Sequence, residues 1–213
     1  MVKLSTDRKI GIFGYSGYGK SFLGAYLIGV FSTKVPVYLF NTDTEERLNS
    51  IPSKNVTAYN AKTSDIKELT KFITTIRAKK TNCMVYVTDM DIYFDGKSDY
   101  NKEVSKIKEF ISRGRHQRIG LMYESKQMQF IPSKILSNTN LFLIGNFTES
   151  NDLKKLKNYA TISEIGSLTD HKFILFDRWS LTREIVHFDM NSKALVVDKV
   201  LKPLYMKRGK NDE

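Results

Sequence analysis

The stretch Lys9-Ile10-Gly11-Ile12-Phe13-Gly14-Tyr15-Ser16-Gly17-Tyr18-Gly19-Lys20-Ser21 decides the fold. A short apolar run leads into a glycine-rich loop, and the helix-prone residues 22–31 follow. Strand, G-x-x-x-x-G-K-S and helix in that order form a phosphate-binding loop. Each position has a chemical reason. Gly14, Gly17 and Gly19 let the backbone N–H groups of the loop, Tyr15, Ser16 and Tyr18 included, close around phosphates. Lys20 reaches the β and γ oxygens, and the Ser21 hydroxyl ligates Mg2+. The helix beginning there turns its positive end toward the anion. A nucleoside triphosphate, ATP with Mg2+, is therefore the expected ligand.

Working outward, 213 residues with 41% hydrophobic content can bury one large α/β core. A single domain over residues 1–206 is expected, with 207–213 as a disordered basic tail. Lys and Arg exceed Asp and Glu by 34 to 23, a net charge of +11. That excess favours a polyanionic partner, nucleic acid first, over a merely lysine-rich solvated surface. Cys83 is the only cysteine, which excludes an intramolecular disulfide and a cysteine-based zinc site and suits a reducing interior. The longest apolar stretch, 22–31, is too short to span a bilayer, and no signal-peptide core precedes the loop. A cytoplasmic, non-transmembrane protein is expected.

Residues 35–40 read as a buried strand and 56–59 as a second strand. Ile66, Leu69, Phe72, Ile73 and Ile76 recur at helical spacing behind Asp65, with Glu68 placed to complete a capping box. The run 83–87 is another buried strand, and Val104, Ile107, Phe110 and Ile111 mark a helix closed by Gly114. Strands at 119–123 and 141–144 flank a short helix near 132–136. This alternation predicts a mostly parallel sheet covered on both faces. Residues 172–177 and 183–189 predict an antiparallel hairpin, to which 194–200 adds an edge strand.

Chemistry concentrates at three places besides the loop. Thr88-Asp89-Met90-Asp91 ends a strand, the position of a Walker B segment. Asp89 is the first choice for the Mg2+ shell and Asp91 for polarising the attacking water. A second register puts Thr88 and Asp89 at the paired positions. Arg113, Arg115 and Arg118 interrupt a helix-to-strand connection, where a planar guanidinium can reach across a subunit boundary as an arginine finger. Arg115 is favoured, with DNA phosphate contacts or surface ion pairs as the alternative use. In Ser125-Lys126-Gln127, Gln127 or Lys126 can sense a γ-phosphate from a strand's carboxyl end. Tyr15 and Tyr18 can stack on a base or pack on a neighbour. His116 and Trp179 receive no role.

The order of residues 14–21, then Val85-Tyr86-Val87-Thr88-Asp89-Met90-Asp91-Ile92-Tyr93-Phe94, then Arg113-Gly114-Arg115-His116, then Ser125-Lys126-Gln127 with Ile131-Pro132 resembles the HerA/FtsK group of P-loop ATPases. It is most similar to the genome-packaging ATPases of membrane-containing icosahedral viruses, over about residues 9–156. The resemblance implies a RecA-like sheet and hexameric rings, with ATP and Mg2+ at subunit interfaces and double-stranded DNA in a basic pore. It also implies a capsid or membrane vertex protein as docking partner, and a place in the host cytoplasm or virion. Two positions depart from the family pattern: the acidic pair stands as Thr88-Asp89, and the sensor glutamine aligns with Lys126 unless the register shifts to Gln127.

Two other functions fit the same loop. A small-molecule kinase would use residues 113–118 as a phosphate-clamping lid, and a nucleotide-switched assembly factor would turn over slowly. A GTPase is disfavoured, because the chain holds no Asn-Lys-x-Asp base-reading motif.

Overall fold

In the computed structural model, which describes residues 5–42, 46–49, 51, 53–94, 101–169, 171–189, 191–192 and 194–202, the apolar runs become nine strands. They are β1 (Lys9–Phe13), β2 (Val37–Asn41), β3 (Val56–Asn60), β4 (Cys83–Val87), β5 (Ile119–Ser125), β6 (Leu141–Ile144), β7 (Lys172–Asp177), β8 (Thr182–Asp189) and β9 (Ala194–Val200). All nine share one sheet in the order β3-β2-β4-β5-β1-β6-β7-β8-β9. The first six pair in parallel, and the last three attach antiparallel. The expected sheet and its hairpin extension are both present. The tail 207–213 lies outside the described residues.

Apart from the largely exposed edge strand β3, the parallel half is buried on both faces because its strands alternate between two apolar layers. Ile10 and Ile12 face Leu23, Leu27, Ile28 and Phe31 of helix α1 (Lys20–Ser32). Phe13, Val85 and Val87 face the opposite layer, built from Leu69 and Ile73 of α3 (Ile66–Lys79) and Val104, Ile107 and Phe110 of α4 (Lys102–Arg113). Each fully buried Leu or Ile contributes about 1.5–3 kcal/mol, and this packing, more than helix propensity, fixes α1 against the sheet. Shorter helices complete the chain: α2 (Glu46–Asn49), α5 (Ser133–Asn138), α6 (Ser150–Leu156) and α7 (Ile162–Gly166). The sequence carries no comparable signal for α2, α6 or α7.

One local expectation needs correction. Asp65 does cap α3, accepting from the Lys67 N–H, but Glu68 does not close the box. Its carboxylate instead accepts the N–H groups of Lys62 and Thr63 and the Tyr59 hydroxyl, at 2.8–3.0 Å. Those donors, the Lys62 N–H foremost, bring its pKa down to about 2. Gly114 closes α4 as expected, standing at its C-cap with an ordinary helical φ of −56° and donating its N–H to the Phe110 carbonyl. The left-handed turn falls to Arg118, φ 55°, after one 3-10 turn.

The junction between the two halves of the sheet is polar. Arg8 pairs with Asp177 at 2.8 Å, both side chains nearly fully buried, and the guanidinium lies 4.0 Å from the Trp179 ring centre. Trp179, given no role from sequence, thus covers a buried ion pair. On β4, Cys83 is fully buried, and desolvation pushes its thiol up to about 11.

Candidate functional site

The loop between β1 and α1 is held by backbone bonds to strands on both sides. The Gly14 N–H donates to the Ser125 carbonyl and the Tyr15 N–H to Asn146, each at 3.3 Å. Gly17 and Gly19 have φ of 83° and 91°, a region L side chains rarely adopt, so these glycines are required by the turn itself. At Gly19 a Cβ would also stand 2.9 Å from the His171 ring. Tyr18 is buried; its hydroxyl lies 2.9 Å from the Thr169 carbonyl and 2.6 Å from that of Lys172, and its ring packs edge-on against Phe173. Of the two fates foreseen for Tyr18, packing on a neighbour is the one observed. Tyr15, more exposed, rests against it with ring centres 5.0 Å apart.

Parallel pairing brings the carboxyl ends of β1, β4 and β5 to this loop, where they enclose a polar cavity of about 280 Å³. Lys20, Ser21, Asp89, Glu124 and Lys126 all line it. The Lys20 ammonium donates to the Tyr15 carbonyl at 3.0 Å. Burial lowers its pKa, opposed first by Glu124 and then by Asp89. The Ser21 hydroxyl donates to Glu124 Oε2 at 2.9 Å, and Tyr86 donates to the other Glu124 oxygen. Asp89 follows β4 in the left-handed region, φ 42°, and pairs with Lys126 Nζ at 3.2 Å. A strained non-glycine residue at a ligand cavity is a common mark of function.

The remaining candidates are placed differently. Asp91 is buried in the 3-10 turn after β4, where its carboxylate accepts the Lys126 backbone N–H at 3.0 Å; it does not line the cavity. Gln127 follows Lys126 half-buried and also stands off the cavity, so of the two sensor candidates Lys126 is the one at the site. Arg115 sits in the turn before β5, close enough to Lys9 for its charge to depress that lysine's pKa, behind the larger effect of burial. It is thus at the amino end of the sheet, roughly 20 Å of strand from the loop. Arg113 is exposed and pairs with Glu109 at 2.9 Å.

A second cavity of about 400 Å³ adjoins the loop and shares Gly17, Gly19 and Phe22 with the first. Its walls are apolar: Phe22 and Leu23 from α1, His171 and Phe173 at β7, and Phe188 from β8. Phe188 packs on both Phe22 and Tyr26 with ring centres 4.8–4.9 Å apart. An aromatic slot next to a phosphate cradle suits a planar base. The sequence offered no signal for this slot, since it forms only when the antiparallel strands fold back beside α1. Glu124 was missed because β5 was read as ending at Tyr123. The polar Glu124-Ser125 pair interrupts the apolar run, although β5 stays buried through Ser125.

The residues present suit Mg2+ bound with a nucleotide: a serine hydroxyl and two buried carboxylates converge at the loop. Among the described residues no three His, Cys, Asp or Glu side chains cluster closely enough to hold a metal by themselves.

A parallel sheet with this loop at the carboxyl end of a central strand, and an acid after the second strand over, defines a RecA-like fold. No family model matches the sequence, and no curated protein is similar to it in sequence. Among solved structures, the chain resembles B204, the DNA-packaging ATPase from Sulfolobus turreted icosahedral virus, with a TM-score of 0.64 and 18% identity, covering 93% of this chain and 100% of that one. It resembles the genome-packaging NTPase B204 from Sulfolobus turreted icosahedral virus 2 in complex with ATP-gammaS, with a TM-score of 0.64 and 14% identity over 93% of this chain and 100% of that one. EssC ATPases 2 and 3 from Geobacillus thermodenitrificans match with a TM-score of 0.58 and 14% identity, over 97% of this chain and 41% of that one. The likeness to packaging and HerA/FtsK-type ATPases is one of fold.

Proposed function

We propose that the protein is a Mg2+-dependent ATPase that translocates double-stranded DNA, a packaging motor working as a homo-oligomeric ring, hexameric by the sequence resemblance. One observation carries the reading: Lys20 and Ser21 of the loop meet Asp89 and Glu124 from the neighbouring strand ends in a single polar cavity. The loop's N–H groups and Lys20 would bind the phosphates, the aromatic slot would take the adenine, and Ser21 with the carboxylates converging on it would hold Mg2+. When bound, the metal neutralises charge on the β- and γ-phosphates. Asp89 and the acids near it polarise the attacking water. With Asp91 turned onto the Lys126 backbone, its effect on the water is indirect.

Arg115 stands at the pole opposite its own chain's loop, which supports a finger acting in trans and disfavours a lid of residues 113–118 in a kinase. Such a head-to-tail contact closes into rings. Among the described residues no helix is long and apolar enough to cross a membrane. Docking to a capsid or membrane vertex protein in the host cytoplasm or virion belongs to the same proposal.

The test is the ATPase rate with and without linear duplex DNA across a salt series, alongside the mass of the assembled species. DNA stimulation that falls steeply with salt is expected, because bound phosphates release counterions. Lys20→Ala abolishes turnover. Mixing Arg115→Ala chains with Lys20→Ala chains partly restores it, since a finger in trans is worth about 10³–10⁵ in rate. Absence of stimulation at every salt concentration refutes the motor.

A further inference from the structure

The strand that should deliver the acid touching the loop's serine does not do so. Thr88 is the first residue past β4, and its hydroxyl accepts the Thr42 N–H at 2.7 Å. The Thr42 hydroxyl in turn donates to the Thr88 carbonyl at 2.9 Å. Thr88 is therefore tied to the β2 side and carries no charge. Asp89 lies one residue further on and is paired with Lys126.

At the level of Thr88, one strand over, stands Glu124. The register pairs Val87 with Tyr123 on the β4 side and Ile12 with Glu124 on the β1 side. Glu124 is 1% exposed, yet its Oε2 reaches the Ser21 hydroxyl at 2.9 Å. Room for it is built into α1. A Cβ on Gly24 would overlap the Tyr86 hydroxyl and come within 2.8 Å of Glu124 Oε1. A buried carboxylate is costly unless it is fully bonded, and this one is held by two hydroxyls with its charge facing the Lys20 ammonium.

We infer that Glu124, delivered from β5, is the carboxylate that holds Ser21 and the hydration shell of the nucleotide-bound Mg2+, in place of the acid missing at Thr88. Asp89 is thereby released to act on the attacking water. The inference rests on the ATPase reading above.

The test measures ATPγS affinity in EDTA and in Mg2+ for the wild type, Glu124→Gln and Glu68→Gln. Glutamine keeps the size and can still bond Ser21 and Tyr86, so metal-free binding stays at the wild-type level. The tightening produced by Mg2+ shrinks by about 10–100-fold, the usual loss when a group supporting a metal is removed. Glu68→Gln, on α3 and off the cavity, leaves that tightening unchanged. A Glu124→Gln variant whose Mg2+ dependence matches the wild type overturns the inference and leaves the ATPase reading standing. A wild type that binds no ATPγS in either condition overturns both. Should the variant not fold, crystals of the wild type with Mn2+ and ATPγS decide by anomalous scattering. The ion is expected at about 2.1 Å from the Glu124 carboxylate, or roughly 4 Å across one water; an ion beyond one water's reach refutes the assignment.

Discussion

Replacing Gly24 with alanine sets two effects of opposite sign against each other on one helix. Alanine in a helix interior is worth about 0.5–1 kcal/mol over glycine, and Gly29, five residues on, shows that gain alone because nothing lies within 4 Å of its missing Cβ. At Gly24 the new methyl overlaps the Tyr86 hydroxyl and crowds Glu124. Overpacking of this kind costs about 1–3 kcal/mol, and the charged hydrogen bonds it disturbs are worth roughly 1.5–3 kcal/mol where they break. The steric term wins. Gly24→Ala is expected to destabilise by about 1–3 kcal/mol, whereas Gly29→Ala stabilises by up to about 1 kcal/mol. Urea denaturation, read as midpoint shifts at constant slope, measures both. A Gly24→Ala protein as stable as the wild type, alongside a stabilised Gly29→Ala, would show that α1 does not press on the Tyr86–Glu124 pair.

Asp177→Ala leaves Arg8 buried without its partner, and a loss of about 3–5 kcal/mol is expected in the same assay. Glu68 supplies a pH dependence. Its pKa in the folded chain, about 2, lies below its ordinary value of 4.5, so its contribution is fully present above that value and disappears as pH falls through about 2. Solvent screening limits the effect at neutral pH to roughly 1 kcal/mol. Glu68→Gln is expected to lower the melting temperature at pH 7, with the difference from the wild type shrinking as pH falls toward and below about 2; a difference independent of pH refutes the assignment.

Residues 9–21 were legible because strand, loop and helix each carry a local signal, and a phosphate cradle is made of consecutive residues. The central strands were legible for a related reason: five buried positions in a row at 83–87 leave few alternatives to a strand covered on both faces. What stayed hidden depends on neighbours that sequence does not reveal. Glu124 looked like the end of an apolar run, and only the pairing of β5 between β1 and β4 shows that a carboxylate there meets Ser21. Asp91 looked as available as Asp89 until the turn after β4 rotated it onto the Lys126 N–H. The slot between α1 and the last strands joins Phe22 to Phe188, residues too distant in sequence for any spacing rule.

The buried thiol of Cys83 has a practical consequence. Burial pushes its pKa up to about 11, so the thiol stays protonated at neutral pH, and the sulfur is fully buried in the layer between β4 and its covering helices. Maleimides and mild oxidants should pass the native chain by. A single cysteine introduced at the exposed Val200 would then be the sole attachment point for a fluorophore.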